Sequence, residues 1–347
     1  MASAHGRRRR VALPWPMRLR LCVFEAAIDA TQRRDGSVNR FLFSLFDRRA
    51  TADPRPDAAG VSSTDITVDA SRGLWARVFY SPSPSPRPVV VYFHGGGFTL
   101  FSAASRTYDA LCRTLCVAAG AVVVSVDYRL APEHRAPAAY DDGEAVLRYL
   151  GATGLPDHVG PVDVSTCFVV GDSAGGNIAH HVAQRWTATT TTTTTTHNPV
   201  VHLAGVILIQ PCFSGEERTE SERALDGVAP VLNTRRSDLS WKAFLPEGAD
   251  RNHPAAHVVT GDDDAELHEA FPPAMVVVGG LDPLQDWDRR YAAMLRRKGK
   301  AARVVEFPEA IHAFYFFPEF LANDHRKLVG EIRAFVEECI TSKQPTA

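Results

Sequence analysis

The sequence lacks the features that mark membrane, nucleic-acid-binding and disulfide-stabilised proteins. No apolar run approaches the length of a transmembrane helix. The 38 basic and 40 acidic residues give a net charge of −2, which provides no overall attraction to phosphate or to an acidic membrane. Six scattered cysteines form no CxxC pair, which indicates reduced thiols and an intracellular compartment. A neutral or apolar small molecule is therefore the expected partner.

The N-terminal segment also lacks the hydrophobic stretch of a secretory signal. Residues 7–10 are four arginines, but Pro14 and Pro16 interrupt any apolar run behind them. The first acidic residue is Glu25, and an arginine-rich, acid-poor start is also typical of an organelle transit peptide. We favour a solvated basic tail before an amphipathic helix. We expect a cytoplasmic protein, with the nucleus as a second compartment and no membrane insertion.

From residue 60 onward, short apolar runs alternate with stretches of helical length. "TDITV" and "LWARVFY" resemble a pair of strands at a sheet edge. The later runs, such as "VVVYF" and "AVVVSV", are continuous rather than alternating, which is typical of strands buried on both faces of a parallel sheet. The pattern predicts an α/β fold with a mostly parallel central sheet flanked by helices. The predicted helices span about 105–119, 137–151, 174–186, 286–298 and 322–341.

Two segments fall outside this alternation, and we interpret them as a helical lid above the strand ends. They are the N-terminal segment 1–60 and an insertion at 212–270 within the main domain, 61–347. A further insertion, 187–198, contains eight consecutive threonines, Thr189 to Thr196. Threonine repeats bury little apolar surface, so an exposed loop is expected, and no function is assigned to it.

The clearest chemical motif is Gly171-Asp172-Ser173-Ala174-Gly175, which matches the G-x-S-x-G nucleophile elbow. It follows the apolar run "CFVV" and precedes a helix start rich in small residues. A sharp turn between strand and helix needs small flanking residues and presents the serine hydroxyl at the helix N-terminus. Ser173 is therefore the predicted nucleophile.

A second motif, His94-Gly95-Gly96-Gly97, follows another predicted buried strand. Acyl transfer creates an oxyanion that needs converging backbone N–H groups. We predict an oxyanion hole made by the amides of Gly96, Gly97 and Ala174, with His94 fixing the loop. A phosphate-binding glycine loop is the alternative, but neither a following Lys-Ser/Thr nor an acidic ribose partner is present.

A serine nucleophile needs a base and a carboxylate that orients the base. Asp282 and His312 follow two successive predicted strands downstream of Ser173, in the chain order Ser, Asp, His. A histidine such as His312, set among aromatic residues, is more often a core residue when taken alone. Asp286 is the alternative carboxylate, but its position suits a helix cap better.

The other charged clusters point to structure rather than chemistry. Asp127, Arg129, Glu133 and Asp141 lie in "VDYRLAPEHRAPAAYDD", and we expect them to be paired beneath the site. The run 262–264 is three aspartates without neighbouring ligands, which favours a solvated turn over a metal site. Neither a metal nor a cofactor is expected.

These motifs resemble the hormone-sensitive-lipase-like group of α/β-hydrolases, and within it the plant carboxylesterases related to the gibberellin receptor. The resemblance covers nearly the whole chain, including both lid segments. It rests on "RRDGSVNRFLFSLFDRRATADP" (33–54), "HGGGF" (94–98), "DYRLAPEH" (127–134), "GDSAGGNIAHH" (171–181), "ERTESE" (217–222), "WKAFLPEG" (241–248) and "GGLDPLQDW" (279–287).

The resemblance implies an α/β-hydrolase fold and a serine carboxylesterase acting on esters of small apolar metabolites or xenobiotics. The receptor has an aliphatic residue in place of His312 and a serine in place of Gly97, and its hormone-contacting arginine and tyrosine correspond to Ser237 and Ser240 here. A non-hydrolytic hormone-binding protein, with a protein partner at the N-terminal lid, is the alternative. A hydroxyisoflavanone-type dehydratase is a minor alternative, since those relatives carry threonine in place of the serine. The predicted pocket residues are Phe98, Tyr108, Trp241 and Tyr315.

Overall fold

The computed structural model describes residues 13–190, 201–259 and 267–342. Its helices and strands follow the predicted alternation, and most predicted helix ends lie within one or two residues of the observed ones. The helices are Trp15–Thr31 (α1), Arg40–Ser44 (α2), Arg106–Ala119 (α3), Ala138–Ala152 (α4), Ala174–Thr190 (α5), Glu220–Leu225 (α6), Thr234–Phe244 (α7), Gln285–Arg297 (α8) and Ala322–Thr341 (α9). The strands are Ser62–Asp69 (β1), Leu74–Tyr80 (β2), Arg87–Phe93 (β3), Val122–Asp127 (β4), Val162–Asp172 (β5), Leu203–Ile209 (β6), Ala274–Leu281 (β7) and Ala302–Ile311 (β8).

The strands form one eight-stranded sheet in the order β1-β2-β4-β3-β5-β6-β7-β8. β2 is antiparallel to both β1 and β4, and every other neighbouring pair is parallel. Along β3, Val89 and Val91 pack into one apolar cluster, while Val90 and Tyr92 pack into the cluster on the other face. Both faces are thus buried, which explains the continuous apolar runs and confirms the predicted fold class.

The parallel strands bring four loops to one edge of the sheet. β3 ends just before His94, β5 ends at Asp172, β7 ends just before Asp282, and β8 ends just before His312. In a parallel sheet the carboxyl ends of the strands share an edge, and that edge is where open α/β folds place their ligands. The loops that carry the predicted site residues therefore meet at this edge.

The N-terminal segment and the 212–270 insertion are joined by partly buried ion pairs. Arg236 of α7 is nearly buried and pairs with Glu25 and Asp29 of α1. The hydrogen bond from Arg236 is the largest influence on Asp29 and holds the pKa of that carboxyl below its ordinary value. At the start of α2, Arg40 pairs with Glu133 of the main domain. The boundary at residue 60 stays a prediction.

The threonine-rich region differs from the prediction at its start. α5 continues to Thr190, so the helix includes the first residues that we assigned to an exposed loop. Thr187 is buried, and its hydroxyl donates to the carbonyl of Ala183 within the helix, 2.9 Å away. Most of the threonine tract, the arginine run 7–10 and the aspartates 262–264 lie outside the described residues. In the described ranges, no helix is long and apolar enough to cross a membrane.

Candidate active site

Ser173 occupies the turn between β5 and α5. Its φ is +50°, a left-handed conformation that a residue other than glycine rarely adopts. The turn is closed so tightly that a Cβ at Gly171 would lie 2.1 Å from the carbonyl oxygen of Gly175. A Cβ at Gly175 would lie 1.9 Å from the carbonyl oxygen of Phe93. The small residues of the motif are therefore required by backbone approach at this turn.

This packing predicts that Gly175→Ala destabilises the fold. The new methyl group would meet backbone rather than a flexible side chain, so we expect a loss of at least about 3 kcal/mol in the free energy of unfolding. Urea unfolding measures this loss. Gly330→Ala is the matched control, because a Cβ at that exposed position in α9 meets nothing within 4 Å. It should be neutral or stabilising by up to about 1 kcal/mol. Equal midpoints for the two variants would contradict the prediction.

The three predicted side chains Ser173, His312 and Asp282 form one hydrogen-bonded chain. His312 Nε2 lies 3.0 Å from Ser173 Oγ, and His312 Nδ1 lies 2.7 Å from Asp282 Oδ2. Asp282 is fully buried, and its Oδ1 accepts the N–H of Leu284 at 2.9 Å. These distances suit proton transfer from the serine to an imidazole oriented by a carboxylate.

Gln210, which the sequence reasoning missed, fixes the backbone on both sides of His312. Its Nε2 donates to the carbonyl of Ile311 at 3.1 Å, and its Oε1 accepts the N–H of Ala313 at 2.9 Å. The residue directly follows β6, at the same sheet edge as the other site residues. A lone polar residue at the end of the apolar run "VILIQ" was the available signal.

The glycine loop after β3 lies beside the elbow. Gly96 and Gly97 have φ values of +104° and +59°, and the amides of Gly96, Gly97 and Ala174 donate no backbone hydrogen bond to another described residue. They are thus available to an oxyanion. His94 is buried, its Nδ1 lies 2.8 Å from the carbonyl of Gly95, and burial holds its pKa below the ordinary value. This environment suits a residue that fixes the loop rather than a base.

Asp172, the residue before the candidate nucleophile, joins the glycine loop to the elbow. Its Oδ1 accepts the amide of Gly95 at 2.9 Å, and both carboxylate oxygens accept tyrosine hydroxyls at 2.5 to 3.1 Å. Burial raises the pKa of the Asp172 carboxyl above its ordinary value, while the tyrosine hydroxyls act in the opposite direction. The sequence pattern did not predict this role. The tyrosines are Tyr92, Tyr108 and Tyr315.

A cavity of about 80 Å³ opens onto Ser173 and His312. Two of the four predicted pocket residues, Tyr108 and Tyr315, line it. The other two, Phe98 and Trp241, are not among its lining residues. Phe98 stacks on Phe244 with 3.7 Å between ring centroids, and Trp241 lies 5.2 Å from Phe98 by the same measure. Both belong to the buried hydrophobic core instead, which corrects the prediction.

The competing carboxylate, Asp286, is not part of the hydrogen-bonded chain. It lies in the first turn of α8, but its side chain accepts the N–H of Ser221 at 2.8 Å. It therefore caps the start of α6, where Ser221 lies, rather than its own helix as predicted. No group of three or more His, Cys, Asp or Glu residues within the described ranges could hold a metal ion.

The mostly parallel sheet, with a serine at the strand-to-helix turn and loops converging on it, defines a protein of the α/β-hydrolase class. The chain belongs to the alpha/beta hydrolase fold family, whose model matches residues 90–316. This match spans both glycine-containing motifs and His312.

The chain is similar to both receptors and enzymes. It is 40% identical to gibberellin receptor GID1C of Arabidopsis thaliana, over 91% of this chain and 92% of the relative. It is 35% identical to carboxylesterase 20 of the same plant, over 81% of this chain and 86% of the relative. Among solved structures, a hyperthermophilic esterase of the archaeon Pyrobaculum calidifontis is similar, with a TM-score of 0.72, 28% identity and coverage of 94% and 98%.

Proposed function

We propose that this protein is a serine carboxylesterase that hydrolyses esters of small, largely apolar metabolites or xenobiotics. The observation that carries the proposal is the hydrogen-bonded chain from Ser173 through His312 to Asp282. The similar carboxylesterases and esterase structures support the same reaction class. Carboxylesters need no group beyond these side chains and a water molecule for hydrolysis by this mechanism.

In the acylation half, Ser173 Oγ attacks the ester carbonyl while His312 Nε2 takes the hydroxyl proton. The amides of Gly96, Gly97 and Ala174 stabilise the resulting oxyanion. The intermediate collapses by breaking the bond to the alcohol oxygen, which leaves with the proton held by His312. The product of this half-reaction is an acyl group on Ser173 and a free alcohol.

In the deacylation half, His312 removes a proton from water, and the hydroxide attacks the acyl carbonyl. Ser173 Oγ is then expelled and recovers the proton from His312. Asp282 orients the imidazole and stabilises its charged form in both halves. The same oxyanion donors act twice, which is why their backbone positions are fixed by the elbow and the glycine loop.

The cavities give the proposal its substrate class. The cavity at Ser173, here called the inner cavity, adjoins an outer cavity of about 280 Å³, and the two share the lining residues Phe24, Phe101, Ala313 and Phe316. Aromatic walls of this kind favour apolar groups on either side of the ester bond. In our proposal, the N-terminal segment and the 212–270 insertion enclose the substrate as lids.

Covalent labelling tests the proposed function directly. We expect purified protein to hydrolyse short p-nitrophenyl esters and to be inactivated by an organophosphate such as paraoxon. Mass spectrometry should find one phosphoryl adduct on the peptide containing Ser173, because the hydroxyl is activated only at that site. Hydrolysis that persists after full labelling, or an adduct on another serine, would contradict the assignment.

A hormone-binding protein without hydrolytic activity is the second candidate. The observation that favours it is the 40% identity to a gibberellin receptor across nearly the whole chain. Calorimetry with gibberellins distinguishes the two functions. Saturable binding at micromolar protein, together with no ester hydrolysis, would support the receptor function instead of the esterase.

A further inference from the structure

One wall of the inner cavity carries polar side chains without partners. Gln32 at the end of α1 and Ser237 and Ser240 of α7 line the cavity and are each at most 7% exposed. The Oε1 atom of Gln32 is buried and accepts no hydrogen bond from the described residues. The Ser237 and Ser240 hydroxyls likewise have no hydrogen-bond partner among the described residues. Buried polar groups without a protein partner in the wall of a mostly apolar cavity indicate a ligand that supplies the missing hydrogen bonds.

This wall lies next to the candidate reaction centre. A Cβ at Gly97 would fall 2.3 Å from Ser240 Oγ, so the hydroxyl touches the glycine whose amide is proposed to bind the oxyanion. Ser237 is one helical turn before Ser240 and lies on the same face of α7. A group held by this wall is therefore part of the ester whose carbonyl reacts at Ser173.

The positive charge of Arg236 on the same wall is already paired within the protein. Arg236 also lines the cavity, and each of its five N–H groups donates to a protein oxygen. Those acceptors are the carboxylates of Asp29 and Glu25 and the carbonyl oxygens of Val231 and Glu25. A substrate carboxylate could pair with Arg236 only by displacing these acceptors. The wall is thus suited to a neutral polar group and not to an anion.

We infer that Gln32, Ser237 and Ser240 select esters whose acyl or alcohol group carries a neutral hydroxyl. A hydroxyl donates to the Gln32 carboxamide oxygen and accepts from a serine hydroxyl or the carboxamide N–H, so one group satisfies both kinds of partner. An apolar group in the same place leaves the buried carboxamide unpaired. This inference rests on the proposed esterase function.

Matched esters test the inference on the wild-type protein. One pair is p-nitrophenyl 3-hydroxybutyrate and p-nitrophenyl butyrate, which places the hydroxyl on the acyl side. The other is 3-hydroxybutyl acetate and butyl acetate, which places it on the alcohol side. We expect kcat/KM to favour the hydroxylated ester about tenfold in at least one pair. The p-nitrophenyl half-ester of succinate, which carries a carboxylate, should be poorer than the butyrate. Ratios near one in both pairs would overturn the inference.

Three variants test which side chains cause the preference for hydroxylated esters: Gln32→Leu, Ser237→Ala and Ser240→Ala. Each should lower the ratio of hydroxylated to plain ester, and the triple variant should bring it near one. Both esters are measured on the same preparation, so a lower amount of folded protein affects the two values equally and leaves their ratio unchanged. If the triple variant does not fold, the single variants are sufficient for the test. Ser44→Ala, an exposed serine of α2, is the control that should keep the ratio. A ratio unchanged in all three single variants would overturn the inference.

Binding separates this inference from the proposed function. Ser173→Ala cannot form an acyl-enzyme, so calorimetry with that variant measures affinity for the intact esters. If the wild type hydrolyses no ester but Ser173→Ala prefers the hydroxylated ones, the esterase proposal fails and the selective wall stands. If the wild type hydrolyses both kinds of ester without preferring the hydroxylated ones, the esterase proposal stands and the selective wall is rejected.

Discussion

Replacement of Ser173 by alanine is expected to lower kcat for p-nitrophenyl acetate by at least about a thousandfold. The substitution removes the only atom that can form the acyl-enzyme in the proposed mechanism, while the oxyanion amides remain. Ser173 lies in a left-handed conformation at a turn closed by Gly171 and Gly175, and alanine keeps that backbone. The variant should therefore fold normally. Circular dichroism and the initial rate of p-nitrophenolate release measure the two properties.

His312→Ala should cause a loss of similar size, because the serine is activated only through its bond to His312 Nε2. The double variant should be no slower than either single variant, since the side chains act as a unit. Ser44→Ala serves as the control for a serine substitution outside the site. If His312→Ala retained near-normal hydrolysis, the proposed base would be wrong.

The sequence was sufficient to predict the fold and the loops that carry these residues. The continuous apolar runs of β3 to β7 could be satisfied only by a sheet buried on both faces, and parallel strands bring their carboxyl ends to one edge. Asp282 and His312 each follow such a strand, so their proximity to Ser173 follows from topology. Strand order and side-chain type therefore predicted this part of the candidate site.

Residue type did not predict the pocket wall, because the wall depends on how α7 is rotated; only the resemblance to the receptor placed Ser237 and Ser240 at ligand-contacting positions. Ser237 and Ser240 are three residues apart and share the face toward the cavity. Trp241 is only one residue further, but one residue turns a helix by about 100°. That rotation directs Trp241 onto Phe98 in the core. Residue type alone favoured the aromatic side chain, whereas helix packing decided the outcome.

The roles of Asp172 and Gln210 in the site were not predicted, for a related reason. Both follow or end buried strands, where a polar residue indicates a role near the site. Their partners are distant in sequence: Asp172 contacts Gly95 and Tyr315, and Gln210 contacts the backbone around His312. A hydrogen-bonded network of this kind depends on side-chain directions that no local pattern specifies.

Removing the Asp172 carboxylate is expected to lower kcat by at least about a hundredfold in Asp172→Ala, with KM changed much less. Four donors would lose their acceptor: the amide of Gly95 and the hydroxyls of Tyr92, Tyr108 and Tyr315. Because Gly95 precedes the proposed oxyanion glycines, the loop would lose its attachment to the elbow. Kinetics normalised by organophosphate titration would measure kcat per folded active site.

Asp172→Asn should retain kcat within about tenfold of the wild type. The carboxamide oxygen can still accept from Gly95 and Tyr92, and its NH₂ group can donate to the oxygens of Tyr108 and Tyr315. Burial already raises the pKa of this carboxyl, so a neutral group of the same shape suits the site. Asp142→Ala is the control, because Asp142 is equally buried but pairs with Arg129. It should lower the melting temperature without changing kcat per titrated site. If Asp172→Asn were as slow as Asp172→Ala, the negative charge rather than the bonding pattern would be the requirement.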